Sequence, residues 1–326
     1  MTDAGMSLGQ VPTEHDAVRI ASEFTGSTVV SIRRFSTGLA HYVYDVLVDD
    51  GRAVVVRLTR PEWKDAFAGA VYWSDRLRPL GVPLPEMIFA DTTGEAHGFP
   101  VLILERLPGV DLGDAYPALT AEQKRHIAEQ VVGVQRLAAT LPPGNGFGYA
   151  HSYDDPALKP NWKDVLDAHL ERSRRQIRAV EIVDEVVVER VQHEVDARRA
   201  YFERVEPVCF LDDTTTKNVI VADGRLSGIV DVDVVCFGDA LRTPALTQMA
   251  LLNLGYDDSY IDAWLHTLSA TREQRAIMTL YTATFCVDFL AELGQRFNQD
   301  EARPVEPERL RRLMAILDYL LQTLGS

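Results

Sequence analysis

The chain has 326 residues, of which 46% are hydrophobic and 25% are charged, and its formal net charge is −15. This composition is typical of a globular protein, and the length allows two lobes with a large core. The acidic charge argues against nucleic-acid binding, which normally requires a basic surface. The longest apolar runs are shorter than the roughly 18–20 residues that cross a bilayer. The sequence therefore predicts neither a nucleic-acid partner nor a membrane partner.

The cysteines and the first residues indicate where the protein is located. The three cysteines, Cys209, Cys236 and Cys286, lack the spacing of a zinc site or a disulfide framework, so we expect reduced thiols. Residues 1–10 have neither a basic start nor an apolar core and do not resemble a secretory signal. We therefore expect a cytoplasmic protein. The sequence does not predict its oligomeric state.

The first part of the chain is predicted to form a small β-rich unit. β-Branched and aromatic residues cluster or alternate in three stretches, which predicts strands over 28–32, 42–48 and 53–58. A helix is expected before these strands, beginning at Thr13 or Asp16, and another over 65–77.

Two features of this unit could contact phosphate. The loop after the first strand contains Ser36, Thr37 and Gly38, and the backbone N–H groups of such a loop can lie over phosphates. The same pattern also fits an ordinary hairpin loop. The third strand carries Arg57 near its end, and a guanidinium can donate two hydrogen bonds to phosphate oxygens. A strand-end arginine that faces solvent is the alternative.

The rest of the chain is predicted to be mostly helical. Two prolines in residues 81–85 break the preceding helix, and the apolar stretch 99–109 predicts a strand that stops at Gly109. A capping box then begins a helix at Thr120. Further helices are expected over 162–180, 183–205, 243–254, 259–268, 271–297 and 307–324.

The densest group of chemically active side chains lies in residues 208–239, where two apolar runs are joined by Asp223-Gly224. Asp-Gly at this place predicts a type I′ hairpin turn, because both central residues of that turn need a positive φ. The expected register pairs Ala222 with Arg225, Ile220 with Ser227 and Asn218 with Ile229.

This register would bring three oxygen-bearing side chains together. Asp231 shares the strand face of Ile229 and would lie one diagonal step, about 7–8 Å, from Asn218. Asp213 is on the loop just upstream. Mg²⁺ prefers hard oxygen ligands and takes the rest of its coordination from phosphates and water. The sequence therefore predicts a magnesium and phosphate site, with an ordinary solvated loop as the alternative.

The order Asp213-x-x-x-x-Asn218 followed by Asp231 resembles the aminoglycoside phosphotransferase and choline kinase family of small-molecule kinases, which have a protein-kinase-like fold. That family carries the motifs His-Gly-Asp-x-x-x-x-Asn, Ile-Asp-Trp and Gly-Asp-Pro. The histidine, glycine, tryptophan and proline of these motifs are replaced here by Leu211, Asp212, Val232 and Ala240.

The resemblance implies an α+β, bilobal protein-kinase-like fold, with a small antiparallel β N-lobe and a larger, mostly helical C-lobe. The lobes would comprise residues 1–104 and 110–326, joined by a hinge at 105–109. By the same resemblance, Asp213 is the catalytic base, Asn218 and Asp231 bind the metal, Asp239 is structural, and Arg57 replaces the phosphate-contacting lysine. The backbone of the hinge would contact adenine at Glu105, Arg106 and Leu107.

The activity implied is transfer of the γ-phosphoryl group of ATP, or of GTP, to a hydroxyl group of a small molecule with the help of Mg²⁺. Two differences between this sequence and the family favour a nucleotide-binding pseudokinase instead. Leu211 lacks the side chain with which the family's histidine braces the metal-binding segment, and no glutamate of helix 65–77 is placed to pair with Arg57. Glu62 or Asp65 could take that place. A protein kinase is disfavoured because its His-Arg-Asp, Asp-Phe-Gly and Ala-Pro-Glu signatures are missing.

Two further aspartates lie beside the expected site. Asp212 adds a negative charge next to Asp213, which is expected to raise the proton affinity of that base. Asp233 shares a strand face with Asp231 and is a further candidate for binding or supporting the metal.

The sequence does not identify the phosphate acceptor, because one fold serves many substrates. Aminoglycosides, other antibiotics, choline-like amines, sugars and amino alcohols all fit the implied activity. Acidic side chains in the last part of the chain could receive a cationic substrate, and the alternative is that they are ordinary surface charges. These residues are Asp257, Asp258, Asp262, Asp288 and Glu292.

Overall fold

The structure, a computed structural model, describes residues 11–35, 41–295 and 304–325. The strands are β1 (Val29–Arg34), β2 (Tyr42–Val48), β3 (Ala53–Leu58), β4 (Met87–Asp91), β5 (Val101–Glu105), β6 (Val110–Asp111), β7 (Gly148–Ala150), β8 (Val208–Phe210), β9 (Val219–Ala222), β10 (Arg225–Ile229) and β11 (Val235–Gly238). The α-helices are α1 (Glu14–Thr25), α2 (Lys64–Leu77), α3 (Leu112–Ala115), α4 (Ala121–Ala138), α5 (Trp162–Val180), α6 (Val186–Ala197), α7 (Arg199–Phe202), α8 (Arg242–Leu254), α9 (Ser259–Thr267), α10 (Arg272–Ala291) and α11 (Pro307–Leu324). Short 3₁₀ turns cover Pro61–Trp63, Arg78–Leu80 and Tyr116–Ala118.

The first part of the chain forms a five-stranded antiparallel sheet in the order β1-β2-β3-β5-β4. Side chains alternate between the two faces of a strand, and β2 accordingly buries every second residue against α1. The other face packs on α2, where Phe67 and Ala70 contact Leu102 and Leu104 of β5. Helices therefore cover both faces of the central strands.

The capping box of α1 uses both of the residues at which the sequence could begin this helix. Thr13 is the N-cap and accepts a hydrogen bond from the backbone of Asp16, whose side chain accepts one from the backbone N–H of Thr13. This arrangement satisfies backbone donors that have no partner within the helix. Local capping chemistry thus fixes the start of α1 at Glu14.

The second part of the chain is mostly helical and is organised around α10, which is buried along most of its length and contacts α5, α6, α8 and α11. Two three-stranded sheets, β10-β9-β6 and β7-β11-β8, lie within it. The core of this part is separate from the core beneath the five-stranded sheet. The α+β class, with an antiparallel first part and a helical second part, is confirmed, while the boundaries 104 and 110 stay a prediction.

The hairpin of β9 and β10 has the predicted turn but not the predicted register. Asp223 and Gly224 have φ values of 51° and 72°, and Ala222 pairs with Arg225 as expected. A bulge then shifts the pairing, so that Gly228, and not Ser227, lies opposite Ile220.

The packing of Gly228 explains this bulge. A Cβ atom at this position would lie 2.5 Å from the backbone oxygen of Pro83. The next residue, Ile229, donates its N–H to that oxygen at 2.9 Å. The hairpin is therefore bent to dock against the segment before β4. The pairing of Asn218 with Ile229 is wrong, because Ile229 pairs with Val219.

Two long helices are shorter than predicted. The helix expected over 183–205 is divided into α6 and α7 at Arg198, which has a non-helical φ of −108° and ψ of 19°. The guanidinium of Arg198 donates a hydrogen bond to the backbone oxygen of Leu324 at 3.1 Å, which ties this break to α11. The helix expected over 271–297 ends at Ala291. Across the described residues, no helix is long and apolar enough to cross a membrane.

Candidate active site

The loop that joins β8 to β9 holds Asp213 and Asn218 in contact. Asn218 is buried, and its Nδ2 donates a hydrogen bond to the backbone oxygen of Asp213 at 2.9 Å. Asp213 is exposed, and one carboxylate oxygen accepts a hydrogen bond from the hydroxyl of Thr215 at 3.3 Å. Oδ1 is the acceptor atom of this side chain and therefore the one that can bind a cation.

Asp231 follows β10 and is linked to Asn218 through the backbone, because Val230 donates its N–H to the oxygen of Asn218 at 2.9 Å. The φ of Asp231 is 63°, in the left-handed region that aspartate and asparagine adopt more readily than most residues. Its side chain is 46% exposed, and its charge raises the pKa of Asp213. The structure therefore brings Asp213, Asn218 and Asp231 to one end of the hairpin. Their catalytic and metal-binding roles stay predictions.

The donor atoms at this end of the hairpin suit Mg²⁺. A carboxylate and a carboxamide oxygen are hard ligands, and Mg²⁺ usually takes only one or two side chains together with phosphates and water. Within the described ranges, no group of three or more His, Cys, Asp and Glu side chains is arranged to hold a metal by itself. A divalent ion bound by Asn218 and Asp231 would therefore need additional ligands, which a nucleotide and water can supply.

The pKa of Asp213 is raised to about 7. Burial by the surrounding protein is the main cause, although solvent reaches the side chain, and the charges of Asp231 and Asp212 add to it. The hydrogen bond from Thr215 and the charge of Lys217 act in the opposite direction. The effect predicted for Asp212 is thus confirmed.

This raised pKa predicts how activity depends on pH. A base accepts a proton only in its ionised form, so kcat/KM for ATP should fall about tenfold for each pH unit below the pKa of Asp213. Initial rates measured from acidic to alkaline pH, with the stability of the protein checked at each pH, test this. An activity that stays constant well below neutral pH would contradict it.

Arg57 connects the five-stranded sheet to the residues after the hairpin. Its two terminal nitrogens each donate to Asp233 at 2.8 Å, and one of them also donates to Asp231 at 2.6 Å. Asp233 additionally lies 3.0 Å from Nε2 of His41, and the guanidinium lies 5.2 Å from the ring centroid of Phe67. Burial alone would raise the pKa of Asp233, but Arg57 and His41 together hold it below its ordinary value.

The side chain of Arg57 is only 6% exposed, so the solvent-facing alternative is wrong. The proposed carboxylate partners Glu62 and Asp65 are also wrong, because the partners of Arg57 are Asp231 and Asp233. Helix α2 instead brings Gly69 against this site, where an added Cβ would lie 2.2 Å from the backbone oxygen of Asp233. Contact with phosphate stays a prediction for Arg57.

Replacing Asp233 by asparagine is expected to lower the free energy of unfolding by at most about 3–5 kcal/mol, because Arg57 would remain buried with its single contact to Asp231 and without its forked carboxylate partner. Asp45→Asn is the matched control, since Asp45 pairs with Arg33 and Arg106 at 3.2 Å in partly exposed positions and should contribute about 0–1 kcal/mol. Urea unfolding of both variants measures the difference. Equal losses in the two variants would show that the Arg57 contact is no stronger than a surface ion pair.

The predicted hinge is partly engaged in contacts within the protein. Glu105 donates its backbone N–H to the oxygen of Glu86 at 2.9 Å. Arg106 donates to Asp45 at 3.2 Å, and Leu107 is buried. Adenine contacts at these positions stay predictions. The other three residues predicted to bind the nucleotide lie outside the described residues, namely Ser36, Thr37 and Gly38.

The carboxylate of Asp239 accepts three hydrogen bonds from neighbouring groups of the protein. One carboxylate oxygen accepts hydrogen bonds from the hydroxyls of Tyr201 and Tyr281, each at 2.9 Å, and the other accepts one from the backbone N–H of Leu241 at 3.1 Å. Burial raises the pKa of Asp239 against these hydrogen bonds. These contacts fit the structural role expected for Asp239.

Two of the five carboxylates considered for a cationic substrate are already paired. Asp257 binds Lys124 at 2.6 Å, and Asp288 lies 2.8 Å from His169 and 2.7 Å from Arg172. The remaining three are exposed or half-buried, namely Asp258, Asp262 and Glu292.

Comparison with known proteins gives the family of the chain. A family model described as the phosphotransferase enzyme family matches residues 31–278. A search of curated proteins finds no match.

Among solved structures, a thermostable mutant of aminoglycoside phosphotransferase APH(4)-Ia, in ternary complex with ADP and hygromycin B, aligns with a TM-score of 0.68 and 17% identity over 95% of this chain and 99% of that one. The streptomycin–ATP–APH(2″)-IIa complex aligns with a TM-score of 0.63 and 13% identity, over 96% and 97% of the two chains. A putative fructosamine-3-kinase from Thermobifida fusca YX-ER1 aligns with a TM-score of 0.61 and 15% identity, over 95% and 98%. These likenesses show a shared fold, and the family match shows that the chain belongs to the phosphotransferase enzyme family.

Proposed function

We propose that this chain transfers the γ-phosphoryl group of ATP to a hydroxyl group of a small molecule. The observation that best supports this is the convergence of Asp213, Asn218 and Asp231 at one end of the hairpin, next to Arg57 from the sheet. This group combines an exposed carboxylate of raised pKa with two hard oxygen donors and a guanidinium. Positioning and charge neutralisation supply most of the catalysis in phosphoryl transfer, and these side chains are suited to both.

In this proposal, Asp213 orients the acceptor hydroxyl and takes its proton as the oxygen attacks the γ-phosphorus, and the bond from that phosphorus to the bridging oxygen breaks to release ADP. Asn218 and Asp231 hold Mg²⁺, which when bound neutralises charge on the phosphate oxygens. Arg57 binds the phosphates. To do so it must break its contact with Asp231, while Asp233 keeps the guanidinium in place. The loop of Ser36, Thr37 and Gly38 would cover the phosphates, and residues 105–107 would contact the base.

The acceptor in this proposal is a small hydroxylated compound, and a cationic one is the first class to test. Solved structures of similar fold carry hygromycin B or streptomycin, and another belongs to a putative fructosamine-3-kinase. The carboxylates of Asp258, Asp262 and Glu292 could attract a cation. ATP is the proposed phosphate donor, GTP is the alternative donor, and a cytoplasmic location is part of the proposal.

Two observations favour a second candidate, a nucleotide-binding protein without transfer activity. Arg57 lies 2.6 Å from the carboxylate of Asp231, where it competes with a metal ion. Leu211, in place of the family's histidine, is 2% exposed and has an apolar side chain. A pseudokinase of this kind would bind nucleotide without consuming it.

One experiment separates the two candidates. The purified chain is incubated with ATP and Mg²⁺ and a panel of aminoglycosides, choline-like amines, sugars and amino alcohols, while ADP release and acceptor mass are followed. Binding of a non-hydrolysable ATP analogue is measured in parallel by calorimetry. Mg²⁺-dependent gain of one phosphate by an acceptor supports the proposed kinase. Binding without turnover across the panel supports the pseudokinase, and absence of both contradicts both candidates.

A further inference from the structure

Asp212 precedes the proposed base Asp213 and points away from it, into the protein. The side chain of Asp212 is buried, and one carboxylate oxygen accepts a hydrogen bond from the hydroxyl of Tyr149 on β7 at 2.7 Å. The other oxygen lies 3.7 Å from Nε of Arg242. A buried carboxylate is costly unless a cation or hydrogen-bond donors accompany it. Tyr149 and Arg242 are the groups that make an aspartate possible at this position.

Arg242 depends on Asp212 in the same way. It is fully buried and is the first residue of α8, where the positive end of the helix dipole disfavours a cation. Its guanidinium stacks 4.4 Å from the ring centroid of Phe285 and contacts the Tyr149 hydroxyl and Nδ1 of His169, each at 3.3 Å. Removing either member of such a pair leaves an uncompensated buried charge. Arg242 is therefore placed to pair with Asp212 and not to stabilise its own helix.

This pair lies next to the motif position at which the chain departs from its family. Leu211 occupies the position of the bracing histidine; its side chain packs in the hydrophobic core, and only its backbone forms hydrogen bonds. Its N–H and its oxygen both bond the side chain of Gln135 at 2.9 Å, and the oxygen also accepts from the hydroxyls of Thr214 and Thr243 at 2.8 and 3.1 Å. Those bonds hold the backbone of residue 211, but the side chain that makes polar contacts next to the base is that of Asp212.

We propose that Asp212 and Arg242 are positioning residues for phosphoryl transfer. The ion pair, together with Tyr149, fixes the backbone at residue 212 so that the carboxylate of Asp213 faces the acceptor. The pair thereby supplies the support that Leu211 does not. This proposal rests on the proposed function, because a positioning residue acts only if Asp213 is the base.

The main test is the double variant Asp212→Asn/Arg242→Met, which removes both charges and fills a similar volume. Replacing a buried ion pair by neutral groups is often close to neutral for stability, so the melting temperature should stay near that of the wild type. The Kd for a non-hydrolysable ATP analogue should also stay the same. We expect kcat to fall about 10²-fold, since a small displacement of a catalytic group has an effect of this size.

Tyr149→Phe is a milder second test that keeps both charges and removes the hydroxyl, which donates to Asp212 and accepts the longer bond from Arg242. Loss of these contacts should lower kcat about fivefold, again at unchanged nucleotide Kd. Asp223→Asn, in the exposed hairpin turn, is the control and should have the wild-type kcat.

The outcomes separate this proposal from the proposed function. Wild-type kcat in the folded double variant would overturn the positioning role and leave the kinase assignment intact. If the double variant does not fold, a wild-type kcat in Tyr149→Phe overturns it. A wild-type chain that neither binds the ATP analogue nor phosphorylates an acceptor would overturn the proposed function, and this proposal with it.

Discussion

Replacing Asp213 by asparagine is expected to lower kcat by about 10²–10⁴-fold, the usual contribution of a general base. Asparagine has nearly the same shape and can still accept the hydrogen bond from Thr215, but it cannot take a proton from the acceptor. The Kd for ATP should therefore hardly change. Single-turnover rates with saturating ATP and acceptor measure the loss, and calorimetry measures the nucleotide affinity.

The control for this variant lies on the same hairpin. Asp223 occupies the exposed turn with a φ of 51°, a conformation that asparagine also adopts readily, so Asp223→Asn makes the same chemical change away from the site. It should retain the wild-type kcat. If Asp213→Asn retained it as well, Asp213 could not be the base.

The second large effect is expected at Asp231. Asp231→Asn should keep the left-handed backbone at this position, whereas alanine would strain it. Loss of one carboxylate ligand should reduce transition-state stabilisation by about 4 kcal/mol, which corresponds to about a thousandfold in kcat. The concentration of Mg²⁺ needed for half-maximal activity should rise. Rates measured over a range of Mg²⁺ concentrations test both expectations.

The Asp231 variant also distinguishes metal binding from the ion pair with Arg57. In the described structure, Arg57 keeps its forked contact with Asp233, so loss of Asp231 should disturb the fold less than loss of Asp233. A variant with an unchanged Mg²⁺ requirement but much reduced stability would mean that Asp231 serves the ion pair and not the metal.

The features that the sequence predicted well depend on neighbouring residues. The Asp223-Gly224 turn follows from the backbone conformations that these two residues allow, and the capping box of α4 follows from side chains three residues apart. Helix α5 has the predicted bounds, Trp162–Val180, because Asn161 caps a long amphipathic stretch. Each of these signals comes from residues that are close together in the sequence.

The features that it missed depend on distant packing. The bulge at Ser227 arises because Gly228 packs on Pro83, which no hairpin rule includes. Arg57 pairs with Asp233, which is 176 residues away, whereas the partners expected from the sequence, Glu62 and Asp65, lie within eight residues of Arg57.

One feature of the sequence indicates the buried pair of Asp212 and Arg242. An arginine follows Gly238-Asp239 in an otherwise uncharged, apolar stretch that begins a helix, and its charge requires a buried partner. Such a residue indicates an ion pair but does not indicate which carboxylate forms it.

The most direct test is a crystal structure of the chain with a non-hydrolysable ATP analogue and Mn²⁺, whose anomalous signal locates the ion. We predict that the ion lies between the phosphates, Oδ1 of Asn218 and the carboxylate of Asp231, with Arg57 moved from Asp231 towards the phosphates. The carboxylate of Asp213 should face the γ-phosphate. An ion bound elsewhere, with Arg57 still on Asp231 and no nucleotide beside the hairpin, would contradict the proposed activity.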